Sequence, residues 1–183
     1  DDYFDETNPR WSPDGSKIAF SSDRLDAPYE YRIDAMQEFY DIFVMDADGK
    51  NVKRVTTNRF NDLNPSWAPD GTKIAFISDR NGISNMYYVD LEKMTVSPLT
   101  NLLTGASSPS WSPDDTKIAF TSFKEGGWDI YLLKRPLKRE LSIDKVTPTA
   151  YRNETLVALA DAPADTSEIV LSDDGSGQQI AVE

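Results

Sequence analysis

The chain has 183 residues with 31 acidic against 19 basic side chains, a formal charge of −12, and that balance argues against a nucleic-acid-binding face. Histidine and cysteine are both absent, which removes every Ser-His-Asp or Cys-His relay, every Cys/His zinc site and any disulfide framework. Apolar residues make up 39% and are spread along the chain, as in a globular protein, yet no apolar run approaches the roughly 20 residues of a membrane-spanning helix.

Along the chain, the first segment to stand out is PRWSPDGSKIAFSSDR, from Pro9 to Arg24. It returns as PSWAPDGTKIAFISDR from Pro65 to Arg80 and as PSWSPDDTKIAFTSFK from Pro109 to Lys124. Trp11, Trp67 and Trp111 lie 56 and 44 residues apart. The 12-residue excess falls within Leu25 to Tyr40, so the underlying period is 44. Within each copy, β-branched and aromatic runs alternate with Pro-Asp-Gly, Asp-Gly, Asn-Gly or Gly-Gly turns, the signature of short strands joined by hairpins. In the second copy, strands are expected near Pro65 to Ala68, Lys73 to Ser78, Met86 to Asp90 and Val96 to Thr100. The third strand recurs as DIFVMD (Asp41 to Asp46) and DIYLLK (Asp129 to Lys134). Four short strands in a repeat of this length make the pattern of a β-propeller blade. The sequence therefore predicts an all-β fold, a partial β-propeller of three four-stranded antiparallel blades at about 3–58, 59–101 and 102–149. In the third copy Asp115 stands where the turn glycine belongs, and it is expected to take positive φ.

The insertion in the first copy carries Tyr29, Ile33, Met36 and Tyr40 at helical spacing. That stripe predicts a short amphipathic helix of about three turns, with Pro28 in its first turn. Such a stripe either caps its own blade or serves recognition, because loops on a rigid scaffold carry function and aromatic side chains favour interfaces. Strand alternation places the loops after each second strand, and the connections between blades, on one face. That face collects the insertion, Arg59 to Asn64, Asp79 to Gly82 and Asn101 to Ala106. The candidate partner-binding residues are therefore Tyr29, Tyr31, Ile33, Met36, Phe39, Tyr40, Phe60, Asp79 and Arg80. Asp79-Arg80, like Asp23-Arg24, equally suits local turn hydrogen bonding. Asp46-Ala47-Asp48-Gly49 resembles the start of a calcium loop, but Thr57 occupies the position of the bidentate glutamate, so a hairpin turn is expected and no metal or cofactor site is assigned. The basic cluster Lys134, Arg135, Lys138 and Arg139 suits a solvated loop or an acidic partner. No two carboxylates pair convincingly enough to suggest a carboxylate-only hydrolase.

Residues 150–183 shift to Ala, Asp, Thr and Ser. DTSEIVLSDD (Asp165 to Asp174) echoes the second strand out of register, and the segment is expected to be a linker, a tail or a degenerate strand pair. The chain opens on Asp1 without a leader sequence, as expected of a mature product, an excised domain or a fragment.

The run P-x-W-S-P-D-G-x-K-I-A-F-x-S, with D-I-F-V-M-D-A-D-G and K-R-V-T-T-N after it, resembles the TolB-type propeller repeat, which also occurs in tricorn-like and prolyl-oligopeptidase-type propellers. The resemblance covers about residues 3–149. It implies a non-enzymatic, protein-binding scaffold of the bacterial cell envelope, periplasmic or otherwise extracytoplasmic. Alternatives are the gating propeller of a peptidase whose catalytic domain lies outside this chain, or a structural subunit of a membrane-associated complex. Three blades do not close a ring, so the arc is expected to be completed by further sequence, a second copy or another subunit.

Overall fold

A computed structural model describes residues 4–24, 39–138, 141–142, 146 and 148–150. Strands β1 (Glu6–Trp11), β2 (Lys17–Ser22), β3 (Asp41–Asp46) and β4 (Lys53–Arg54) form the first antiparallel sheet, paired in that order. The second sheet repeats the plan with β5 (Asp62–Trp67), β6 (Lys73–Ser78), β7 (Asn85–Asp90) and β8 (Thr95–Pro98). The third contains β9 (Ser107–Trp111), β10 (Lys117–Lys124) and β11 (Gly127–Lys134), so among the described residues it has three strands where four were expected. The fold is all-β, an open arc of propeller blades. Its one described multi-residue helical element is a 3-10 turn at Pro136–Lys138.

Each blade begins with the same irregularity. Asn8, Asn64 and Ser108, three residues before the tryptophans, have φ of 55°, 55° and 51°, and the pairing with the second strand shifts register there. This bulge lets the first strand start earlier than the hydrophobic alternation indicates, at Asp62 rather than Pro65 in the second blade. The following turns also match. Gly15 and Gly71 have φ of 72° and 70°, and Asp115 takes the same left-handed conformation at φ 58°, as its place in the repeat predicted.

Alternation along the strands gives each blade two unlike faces. Trp67, Ile74 and Phe76 of the second blade pack on Ala19, Ile42 and Val44 of the first. Trp111, Ile118 and Phe120 of the third pack in the same way on Ala75, Ile77 and Met86 of the second. The second blade is buried on both sides, which is why β6 and β7 are almost wholly buried. Val146, in the stretch where the fourth strand of the third blade was expected, is buried in the cluster shared by the first two blades. Nearby, the Thr149 amide donates to the Asn81 carbonyl at 2.8 Å. Val146 and Thr149 thus lie against the first two blades, and β11 has no described neighbour on its outer side.

Candidate partner-binding face

Two kinds of loop lie at opposite ends of the blades. The Ala47 amide donates to the Ser16 carbonyl, Leu91 to Thr72 and Arg135 to Thr116, so the Pro-Asp-Gly turns and the turns after the third strands share one end. At the other end Asp79 donates to Asn61 and Ala106 to Ser84, which unites the loops after the second strands with the connections between blades. The second end carries the candidate residues that fall within the described chain.

Its scaffold is a latch repeated in two blades. Ser-Asp-Arg follows β2 and β6. In each triplet the aspartate accepts an amide from the residue before the first strand: Asp23 from Asp5 at 2.8 Å, Asp79 from Asn61 at 3.0 Å. The arginine then pairs with the acid that opens that strand. Arg24 meets Glu6 at 2.8 Å, and Arg80 meets Asp62 at 3.1 and 3.2 Å. The Arg80 guanidinium also lies over the Tyr87 ring, 4.5 Å from its centroid, and donates through Nε to Ser78. Asp62 is fully buried, so this pair is charge-assisted and shielded from water. In the third blade Ser122-Phe123-Lys124 replaces the triplet and Ala106 replaces the acid; β10 instead runs on into a longer hairpin with β11.

Between the first two blades a second network holds the loops. Asp41, buried at the start of β3, takes the Arg54 guanidinium and the Thr56 hydroxyl. The same hydroxyl accepts the Ile42 amide at 2.9 Å. Asn85 and Thr100 repeat this relay to the Met86 amide in the second blade. Asn58 spans the two carboxylates, 2.7 Å from Asp62 and 3.4 Å from Asp41. Burial pushes the Asp41 carboxyl up to about 6, against the pull of Arg54 and with a further push from Asp62.

Of the residues singled out in the sequence, Tyr29, Tyr31, Ile33 and Met36, together with the helix expected around them, lie outside the described residues. Phe39 and Tyr40 are described as an irregular, half-buried lead into β3. Tyr40 is tied to the neighbouring connection: its carbonyl accepts the Asp62 amide at 2.7 Å and its amide approaches Asn61 Oδ1 at 3.4 Å. Phe60 is half-buried on that connection, its amide bound to Asn58. Asp79 and Arg80 stand beside them as members of the latch. The structure thus brings Tyr40, Asn61, Asp62, Asp79 and Arg80 together, with the two charged candidates engaged inside the fold. Leu103 was not singled out. It is 90% exposed on the connection between the second and third blades, and two successive leucines in the loop from Asn101 to Ala106 were the available signal. The Asp46 to Gly49 segment is a hairpin turn in which Lys17 and Asn51 hold Asp46, and Lys50 holds Asp48.

Residues 35–101 match the TolB beta propeller domain family. A protein TolB homolog of Chlorobium luteolum is 45% identical over 51 residues, covering 28% of this chain and 12% of that protein. An uncharacterized peptidase, YuxL, of Bacillus subtilis is 37% identical over 68 residues, covering 37% of this chain and 9% of its own length. Among solved structures, the putative TolB from Agrobacterium tumefaciens superposes with a TM-score of 0.58 at 25% identity, covering 69% of this chain and 44% of that one. The chain thus spans less than half the length of each of these proteins. The repeats are thus similar to TolB-type β-propeller blades, and the tryptophan-to-alanine stacking of their sheets is that of successive blades.

Proposed function

We propose that this chain is a non-enzymatic, protein-binding propeller segment of the bacterial cell envelope, working outside the cytoplasm, with the latched loop end as its docking face. The observation that supports the reading is the construction of that end. Arg80, Asp62 and Asp79 brace the connection of Tyr40 and Phe60 from within, and Asn85 holds the Leu102 backbone beside Leu103. Tyr40, Phe60 and Leu103 are therefore carried on a preorganised frame, and preorganised apolar anchors suit protein recognition. The insertion that supplies Tyr29, Tyr31, Ile33 and Met36 joins β3 through Phe39 and Tyr40 at this same end, and its aromatic and apolar residues are part of the proposal. The test is capture of partners from envelope extract by the wild-type chain, by Leu103→Asp and by a chain with 25–38 replaced by a short Asn-Gly loop. Capture lost in both variants, with unchanged melting temperatures, is the expected result. Unchanged capture by both removes this face from the reading.

The match to a peptidase favours one alternative, a propeller that gates a separate hydrolase domain. A gene product carrying an α/β-hydrolase domain with a G-x-S-x-G elbow beyond these residues would favour it.

A further inference from the structure

We infer that Asn81 is a guarded self-modification site: the Asn81-Gly82 turn is chemically primed to convert its asparagine to isoaspartate, and contact with Thr149, anchored through Val146, holds the conversion back.

An asparagine followed by glycine is especially prone to lose its side-chain amide, because glycine has no Cβ to obstruct attack by its own backbone nitrogen. Asn81 is the one asparagine in the chain that precedes a glycine. The reaction is internal. The Gly82 nitrogen bonds to Asn81 Cγ, the bond from Cγ to the side-chain nitrogen breaks, and that nitrogen leaves as ammonia with the proton Gly82 gives up. One water then opens the five-membered imide. Opening at the main-chain carbonyl routes the backbone through the side chain as isoaspartate, and opening at Cγ leaves aspartate. Either way a neutral side chain becomes a carboxylate.

In the folded chain the turn is held off this path at three points. Attack needs the Gly82 nitrogen free to turn on Cγ, yet its N–H donates to the Asp79 carbonyl at 2.7 Å. Asn81 Oδ1 accepts the Ile83 amide at 3.4 Å. The Asn81 carbonyl, which must swing as the imide forms, accepts the Thr149 amide at 2.8 Å. Asn81 is also 3% exposed, which keeps water from the imide carbonyls. The third restraint differs in kind from the other two. It comes from beyond the third blade and is anchored in the core by Val146, with Leu141 partly buried beside the same cluster. An attachment made by so few groups opens more readily than a strand inside a sheet.

Position gives the conversion a consequence. Arg80 braces the fully buried Asp62, and Asp79 accepts the Asn61 amide. Isoaspartate adds one backbone atom inside the turn that Asp79 and Gly82 close, and it sets a new carboxylate next in sequence to Arg80. Both changes loosen the latch of the second blade, and the lost ammonia makes the change irreversible. Transient release of Thr149 is thereby recorded as a permanent mark on the loop end. The inference concerns the turn's own chemistry and is independent of what docks at this end.

Peptide mapping by mass spectrometry, after incubation of the full chain in warm, mildly alkaline buffer, tests it. Native wild type should keep Asn81 while the same chain in urea converts it. Thr149→Pro removes the amide donor and should speed conversion in the folded chain by about fivefold or more, with the far-ultraviolet circular dichroism unchanged. If that proline unfolds the chain, Val146→Ala, which shortens the anchor without adding charge, makes the same comparison. Converted chain, separated from unconverted by its extra charge, should unfold at a lower urea concentration. Native wild type converting as fast as the chain in urea, a folded variant converting no faster than wild type, or a converted chain with an unchanged urea midpoint overturns the inference.

Discussion

At Asp115 two small effects of opposite sign meet. The left-handed backbone costs a non-glycine residue about 1 kcal/mol, yet the carboxylate accepts the Trp111 indole N–H at 2.8 Å, a bond worth about 1 kcal/mol net. Asp115→Gly should therefore leave stability nearly unchanged. Asp115→Ala keeps the strain and loses the bond, and should lower stability by about 1–2 kcal/mol in urea unfolding, with Asp115→Asn close to wild type. The repeat made the backbone at Asp115 legible but not the indole bond, because in the second blade the equivalent indole reaches the preceding blade instead. Asp41 makes a pH-dependent counterpart. Its folded value of about 6 lies above the ordinary 3.8, so the folded state holds the proton more tightly, and this group's contribution favours folding increasingly as pH falls from about 6 toward 4. Asn85 fills the same relay in the second blade, and Asp41→Asn should flatten that part of the profile of urea midpoint against pH. Below about 4 the trend reverses. Asp14 and Asp114, held down near 2 by Ser12 and Ser16 and by Ser112 and Thr116, lose their hydrogen-bonded carboxylates there.

Among the elements, the two arginine latches look alike in sequence and differ in burial. Arg80→Ala strands a fully buried Asp62 and should cost about 3 kcal/mol or more. Arg24→Ala faces the partly exposed Glu6 and should cost below about 1 kcal/mol. Chemical denaturation of the two variants side by side checks the difference, and equal losses would show that burial is not what separates them. Strands β2, β3, β6 and β7 were legible because turn residues and β-branched runs repeat with the period. The starts of β1 and β5 were not, since a bulge at Asn8 and Asn64 breaks the alternation that marks a strand. The latch itself left a trace that pattern reading passed over. An acid stands five residues before Trp11 and Trp67 wherever Ser-Asp-Arg follows, and Ala106 stands there in the copy that lacks the arginine. Seeing that Asp79 and Arg80 brace the loop end from inside, rather than project from it, required the register across β5 and β6. The end of the blades that gathers the long loops was legible from strand direction alone.

At the scale of the molecule each described blade packs on its neighbours in sequence. Stability is therefore distributed as in a one-dimensional array, with a middle unit supported by two blades and, among the described residues, each outer unit by one. The ends are not equal. The first blade has its fourth strand, whereas β11, eight residues long, is exposed at most positions and has no described strand along its outer edge. Loss of structure should therefore travel inward from that edge, which gives the protein a direction of fraying. Deuterium uptake by the native chain would record it as a gradient. Amides of β11 should exchange first, those of β3 later, and those shared by β6 and β7 only on global opening. Uniform uptake across the three blades would mean that the arc opens as a single unit.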